Sequence, residues 1–419
     1  MDKFIIHKSS LKGEVSISGS KNAALPMMAA TLLTDQTCVF HNIPDVMDTR
    51  TMIKILEVLG QRIQFDNNTL VIRAKNKSGY VAPYKLVSTM RASFCCLGPL
   101  LAKQGKAKVA FPGGCVIGPR PVDLHIKGIE ELGAKVVIEE GYCIAQAHKL
   151  KGAHIYLGGV FGSSVLATIN VLMAAVLAEG QTIIEYAACE PEVEHLALLL
   201  KKMGADIEGE GTPLIRVTGV KELMGCEFNN IPDRIEAATF IAASLATNSF
   251  LRIKDANPFH LTSVIELTKN IGAQINIENS SFSIKPKNNL NPVNITTLPY
   301  PGFPTDLQAQ FMACLCLANG ISLIAEKIYP DRFMHVAELN RMGAHIQRSG
   351  PYAIVEGKKE LVGAEVMASD LRASAALVIA GVAARGKTEV LRVYHIDRGY
   401  EHIEEKFEKL GAKIERQKQ

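Results

Sequence analysis

An apolar residue, a glycine and a short alternating segment recur six times along this chain, and no other feature constrains its fold as tightly. The copies are Leu59-Gly60-Gln61-Arg62-Ile63, Leu132-Gly133-Ala134-Lys135-Val136, Met203-Gly204-Ala205-Asp206-Ile207, Ile271-Gly272-Ala273-Gln274-Ile275, Met342-Gly343-Ala344-His345-Ile346 and Leu410-Gly411-Ala412-Lys413-Ile414. Their glycines lie 73, 71, 68, 71 and 68 positions apart. A period of this length marks a repeated supersecondary unit and has to be recognised before any local reading. Glycine after the last helical turn is the usual left-handed stop, and the alternating residues behind it read as strand. An alanine-rich apolar helix precedes the glycine-terminated one, as over residues 25–33, 166–177 and 371–384. The unit is therefore strand, buried helix, strand, amphipathic helix, strand, strand, in the α/β class.

Six such units in 419 residues exceed what one hydrophobic core organises, so two domains of three units are expected, with a boundary in the polar stretch 219–230. A hydrophobic content of 47% with 21% charged residues suits a globular chain with a large core. Only the Asn-rich stretch 288–291 reads as a candidate for disorder. No apolar run is long enough to span a membrane, and the start of the chain lacks a signal-peptide layout. Nine cysteines without regular spacing suit a reducing compartment, so a cytoplasmic location is expected. Cys95-Cys96 and Cys314-Leu315-Cys316 sit inside apolar runs and read as core rather than metal ligands. A net charge of +4, scattered along the chain, argues against nucleic acid.

One cysteine stands apart. Phe111-Pro112-Gly113-Gly114-Cys115-Val116-Ile117-Gly118-Pro119-Arg120-Pro121-Val122-Asp123 sets it in a glycine-rich, proline-bounded loop five residues before an arginine. A nearby cation stabilises a thiolate or holds an anionic substrate beside it, although an incidental cysteine on a surface loop fits the same residues. Aligning the units by their glycines places Ser20-Lys21-Asn22, Met90-Arg91-Ala92, Ser163-Ser164-Val165, Asp233-Arg234-Ile235, Thr305-Asp306-Leu307 and Asp370-Leu371-Arg372 at the starts of the first helices. Ser, Thr and Asp are N-cap types there. A cation in the first turn opposes the macrodipole, so Lys21, Arg91, Arg234 and Arg372 each carry a local penalty that reverses when an anion docks at the helix end. Arg120, Arg332 and Arg398 repeat the theme near the second helices. Several such ends together imply an anionic ligand, where any one alone would read as a solvated charge.

These residues carry a resemblance. Gly19-Ser20-Lys21-Asn22-Ala23-Ala24-Leu25-Pro26, the Cys115 loop running on to Leu124-His125, Gly302-Phe303-Pro304-Thr305-Asp306-Leu307-Gln308-Ala309-Gln310, Arg332-Phe333-Met334-His335, Asp370-Leu371-Arg372-Ala373-Ser374 and Tyr394-His395-Ile396-Asp397-Arg398-Gly399-Tyr400 occur in the order found in the UDP-N-acetylglucosamine 1-carboxyvinyltransferases, a branch of the enolpyruvyl transferase family. The chain resembles that branch from end to end.

The resemblance implies a two-domain inside-out α/β barrel of six repeats with the active site in the interdomain cleft. It implies residues 21–229 as one three-repeat domain and 1–20 plus 230–419 as the other, since in the family the first strand packs with the second domain. It also implies transfer of the enolpyruvyl group of phosphoenolpyruvate to the 3′-hydroxyl of UDP-N-acetylglucosamine with release of phosphate. In that scheme Cys115, on a lid loop, donates the proton to the methylene carbon and can form a covalent adduct, and Asp306 is the base near the sugar hydroxyl. Lys21, Asn22, Arg120 and Arg398 hold phosphoenolpyruvate, and Arg332 and Arg372 support the developing charge. Arg91, Arg120, Pro121, Val122, Asp123, Leu124, Asp306 and Ile328 contact the UDP-sugar, as do Ser164 and Val165. On residue type alone Asp306 could instead cap its helix, as Asp370 is expected to do. No metal or organic cofactor and no nucleic-acid partner are expected, and the oligomeric state is left open.

At Ser164-Val165-Leu166-Ala167-Thr168 the family pattern has glycine where this chain has Leu166, which puts the UDP contacts around 162–165 in doubt. The sister synthase acting on shikimate 3-phosphate and a silent UDP-sugar-binding paralogue are the competing readings. Against the second, Cys115, Asp306 and the arginines are all present.

Overall fold

The computed structural model describes residues 2–75, 79–111 and 122–418. The repeat appears in it as six four-stranded sheets with one strand order. In the second unit the short strand Val81–Ala82 pairs in parallel with Lys106–Ala110 (Val81 opposite Lys108). Lys106–Ala110 then pairs antiparallel with Tyr142–Gln146, which pairs antiparallel with Lys135–Glu139. Between these strands run the first helix, a 3-10 stretch Arg91–Cys96 continued by Leu97–Gln104, and the second helix Asp123–Glu131.

The six repeat glycines have φ of +93, +90, +104, +113, +87 and +93°. At Gly133, Gly204 and Gly343 an added Cβ would meet nothing within 4 Å, so the left-handed backbone itself, and not lack of room, calls for glycine.

Each first helix is buried on nearly all sides, which explains why its sequence is apolar all round. In Val165–Ala175 every residue from Ala167 onward is buried, and in Leu371–Ala383 every residue from Arg372 onward. The second helices bury one stripe, as with Val264, Ile265, Thr268 and Ile271 of Thr262–Ile271. The expected helix over 25–33 is Lys21–Ala30 followed by a 3-10 turn, Thr31–Leu33. Pro26 inside it leaves the Asn22 carbonyl without its helical donor.

By contacts the chain divides into two compact units, with the breaks at Ser18/Gly19 and Ile231/Pro232. Residues 19–20 and 230–231 thus lie with the middle of the chain, where the boundaries implied by the resemblance put them with its ends. Each unit has its own hydrophobic core.

In the unit formed by the chain ends, three sheets centre on Leu251–Lys254, Ile321–Ala325 and Lys387–Leu391. Two of them are completed by the N-terminal segment. Asp2–His7 inserts between Lys387–Leu391 and Lys413–Lys418 (Phe4 opposite Val390 and Arg416), and Gly13–Ser16 is the parallel edge strand beside Leu251–Lys254. In the other unit the edge strand of the first sheet comes from far along the chain, with Glu227–Asn229 parallel to Cys38–His41.

Candidate active site

In the unit spanning 19–231, Lys21 is the first residue of its helix and is 8% exposed. Its Nζ donates to Asp48 Oδ2 at 3.1 Å, and Asp48 is itself buried. A cation there opposes the helix dipole, and Asp48 supplies the compensating charge. Ser20 caps the helix by accepting from the Ala23 N–H, and its own N–H donates to the Ile231 carbonyl. Asn230 Nδ2 donates to the carbonyls of Ser20 and Asn42. A Cβ on Gly19 would lie 1.7 Å from the Asn42 oxygen, so only glycine fits in front of Ser20. Asn22 is half-buried on the same turn.

Arg91 opens the 3-10 stretch of the second unit, close enough for its charge to act on His125. His125 is fully enclosed. Its Nδ1 accepts from Asn170 Nδ2 at 2.8 Å and Phe94 meets it edge-on at 5.1 Å. Burial first, and Arg91 second, push its pKa down to about 3.

Val122 precedes the Asp123–Glu131 helix without capping it, Asp123 is exposed, and Leu124 is half-buried. A side chain at Gly159 would meet Leu124 Cδ1 at 3.1 Å. Gly159 pairs with Gly162 in a two-residue hairpin leading straight to Ser164 and Val165, so the chain brings Leu124, Ser164 and Val165 into one neighbourhood. Ser164 caps its helix through the Ala167 N–H. Leu166 lies inside that helix, where ordinary helical backbone requires no glycine, and it packs against the core. Cys115, Arg120 and Pro121 lie outside the described residues.

In the other unit Asp306 is not a cap. It sits in the 3-10 turn Thr305–Leu307, which has no side-chain cap. Its Oδ1 accepts from Arg332 Nη1 at 2.8 Å, and its Oδ2 accepts from Arg372 Nη2 at 2.9 Å and Nε at 3.2 Å. The arginine side chains are only 6% and 3% exposed, against 28% for Asp306. Burial alone would lower the Arg372 guanidinium, but Asp306, Tyr400 and Asp233 outweigh it and raise its pKa, and Asp306 with Asp370 does the same for Arg332. Arg372 also lies over the Tyr400 ring at 5.4 Å, and its Nη1 is buried without an acceptor among the described residues.

Asp370 is the cap of Leu371–Ala383, its Oδ1 accepting from the N–H groups of Arg372 and Ala373. Ile328 is held by its backbone, its N–H donating to Glu326 Oε1 at 2.9 Å.

Arg332 and Arg398 do not start second helices. Arg332 lies ahead of His335–Arg341, and Arg398 ends the 3-10 stretch Val393–Arg398, where a cation agrees with the helix dipole. Arg398 and Asp370 both act on His395, which links that end to the Asp370 cap, while Tyr400 pins the following turn through Thr239 and Gln310. The sequence reading missed Asp48 and Glu326 and gave Tyr400 no role of its own, whereas Asp233, expected as an N-cap, does cap Arg234–Ala246. Asp48, the second residue of its helix, and Glu326, an acid ending an apolar strand, were the available signals.

Two buried histidines give these sites a pH dependence. His335 is pushed down to about 4 by burial, helped by Arg332 and opposed by Asp370, and His125 to about 3. Both folded values lie below the unfolded value of about 6.5, so the unfolded chain binds more protons below it. Stability from this source is complete above pH 6.5 and falls as pH drops toward 4, by a few kcal/mol for each group. Denaturant unfolding at pH 7.5, 5.5 and 4.5 should show that fall, with a flatter slope in His335→Gln.

Residues 5–407 match the family model described as EPSP synthase (3-phosphoshikimate 1-carboxyvinyltransferase). The chain is 52% identical over 417 residues to the UDP-N-acetylglucosamine 1-carboxyvinyltransferase of Methylacidiphilum infernorum (isolate V4), covering 99% of each. It is 50% identical over 419 residues to UDP-N-acetylglucosamine 1-carboxyvinyltransferase 2 of Carboxydothermus hydrogenoformans, again over 99% of each. Among solved structures, the enolpyruvyl transferase NikO from Streptomyces tendae superposes with a TM-score of 0.90 at 23% identity, over 99% of this chain and 98% of that one. EPSP synthase from Acinetobacter baumannii superposes with a TM-score of 0.77 at 19% identity over the whole of both chains, and these two likenesses speak for the fold. With half its residues identical to those relatives from end to end, the chain belongs to the EPSP synthase family of enolpyruvyl transferases, in the branch of the UDP-N-acetylglucosamine 1-carboxyvinyltransferases.

Proposed function

We propose that this protein transfers the enolpyruvyl group of phosphoenolpyruvate to the 3′-hydroxyl of UDP-N-acetylglucosamine, releasing phosphate and opening peptidoglycan synthesis in the cytoplasm. The observation that carries the reading is the end-to-end identity to relatives named for that reaction, with each expected site residue present.

Addition of the sugar oxygen to the phosphate-bearing carbon of the enol phosphate needs a proton on the methylene carbon, a base for the hydroxyl and cations for the phosphate and carboxylate; the methyl group so formed then gives up a proton as phosphate leaves, which restores the double bond. Cys115 is the proton donor and Asp306 the base. Lys21, Asn22, Arg120 and Arg398 hold phosphoenolpyruvate, and Arg332 and Arg372 steady the charge that develops at the reacting centre. Arg91, Val122, Asp123, Leu124, Ser164, Val165 and Ile328 receive the UDP-sugar. The Asp306 carboxylate between two firmly protonated guanidiniums supports this assignment, because the arginines fix its orientation toward a substrate hydroxyl. The buried Nη1 of Arg372 is a further donor suited to an anionic substrate. The architecture that goes with the reaction is the inside-out α/β barrel pair, with Cys115 on a lid loop open to alkylation by fosfomycin.

Phosphate release from phosphoenolpyruvate tests the reading. Release that requires UDP-N-acetylglucosamine is expected. Release only with shikimate 3-phosphate would move the chain to the sister synthase, and none with either acceptor would leave a silent binding protein.

A further inference from the structure

Glu326 is fully buried, just past the end of the Ile321–Ala325 strand, and two of its partners, Thr305 and Ile328, connect it to the residues assigned to the acceptor. Its Oε1 accepts from Thr297 Oγ1 at 2.7 Å and from the N–H groups of Ile328 and Tyr329, both at 2.9 Å. Its Oε2 accepts from Thr305 Oγ1 at 2.9 Å. Thr305 Oγ1 in turn accepts from Arg332 Nη1 at 3.0 Å, the same nitrogen that donates to Asp306 Oδ1.

We propose that Glu326 is a positioning residue for the acceptor, setting through Thr305 the Arg332–Asp306 pair and, through its other oxygen, the Ile328 backbone. This rests on the reading of Asp306 as the base toward the sugar hydroxyl.

The chemistry of a hydroxyl makes the connection directional. Thr305 has one proton and two lone pairs. Glu326, facing four donors, takes that proton and leaves the lone pairs to Arg332. Arg332 Nη1 is thereby held between Thr305 Oγ1 and Asp306 Oδ1. The Thr305 proton is thereby directed to Glu326 and away from Asp306. Because the same Glu326 also fixes the peptides of Ile328 and Tyr329, the base and the Ile328 contact move together.

Glutamine at 326 breaks this polarity in either orientation. An amide nitrogen at Oε2 turns Thr305 into an acceptor from it and frees its proton, and an amide nitrogen at Oε1 faces three donors. A displacement of the order of 1 Å at the reacting groups costs about 10²-fold in rate.

The test compares wild type, Glu326→Gln, Thr305→Val and Thr305→Ser in steady-state kinetics with both substrates varied, alongside thermal unfolding. Glu326→Gln and Thr305→Val should each lower kcat/KM for UDP-N-acetylglucosamine by about 10²-fold while KM for phosphoenolpyruvate stays within about twofold. Thr305→Ser, which keeps the hydroxyl, should recover most of the loss. Thr305→Val with wild-type acceptor kinetics would overturn the proposal, as would variants whose only change is a lower unfolding temperature or whose KM for phosphoenolpyruvate rises as much as kcat/KM for the UDP-sugar falls. If Glu326→Gln does not fold, the threonine pair decides alone. A wild type that turns over normally while the variants show no acceptor effect sinks only this inference, whereas a wild type that never uses the UDP-sugar removes the functional reading beneath it.

Discussion

Asp306→Asn should lower kcat by about 10²–10⁴-fold, the range for loss of a positioned general base, while leaving a folded protein of reduced stability. The substitution keeps the shape of the side chain and removes the charge that two buried guanidiniums share. Its amide oxygen can still accept from Arg332, but its nitrogen then faces Arg372 Nε and Nη2, donor against donor. Removing one partner of a buried ion pair costs about 3–5 kcal/mol, and the 28% exposure of Asp306 places the expected loss at or below the lower end. Denaturant unfolding and initial rates on the same preparation separate the two effects. A kcat within tenfold of wild type would remove Asp306 from the role of base, whatever the stability change.

The periodic skeleton was legible because its punctuation is local. A left-handed glycine and a Ser, Thr or Asp cap are decided within one helical turn, so Gly133 or Ser164 announces itself from its neighbours. Sheet completion is not local. Phe4 pairs with Arg416 and Glu227 with Val39, and no periodicity within a unit tells the chain that its sixth sheet will be finished by its own first strand. The family resemblance supplied that crossing, and the repeat alone did not.

The same distinction runs through the site. Lys21 and Arg372 stand out in sequence because a cation in a first turn opposes the dipole. Their compensating partners come from elsewhere: Asp48 from the next helix, Asp306 from a preceding unit and Tyr400 from beyond the following strand. Arg398 misled for a related reason, since a single arginine near a turn reads alike at the start of one helix and the end of another. Glu326 was overlooked because an acid closing an apolar strand looks like a solvated strand end until its four donors are seen.

Cys115→Ala should lower turnover by about 10²–10⁴-fold and also abolish labelling of the native protein by a thiol-directed electrophile at neutral pH. The second half follows from the other eight cysteines. Cys38, Cys95, Cys96, Cys143, Cys314 and Cys316 are buried. Burial pushes Cys96, Cys143 and Cys316 up to about 12, and Cys95 and Cys314 up as well. Cys189 is half-buried and raised by burial and by Glu190, and Cys226 is raised first by its hydrogen bond with Cys38. The thiolate is the nucleophile, so a thiol at about 12 carries on the order of one part in 10⁵ of reactive form at pH 7. Cys38 is lowered by the Cys226 hydrogen bond, yet it is fully enclosed and out of reach of a solution reagent. Intact-mass analysis after brief treatment with an epoxide or iodoacetamide should therefore show one adduct per chain, peptide mapping should place it on residue 115, and activity should disappear in step with it. Two or more adducts while activity persists would mean that a different cysteine is the accessible one, and proton donation would then have to be sought elsewhere in the site.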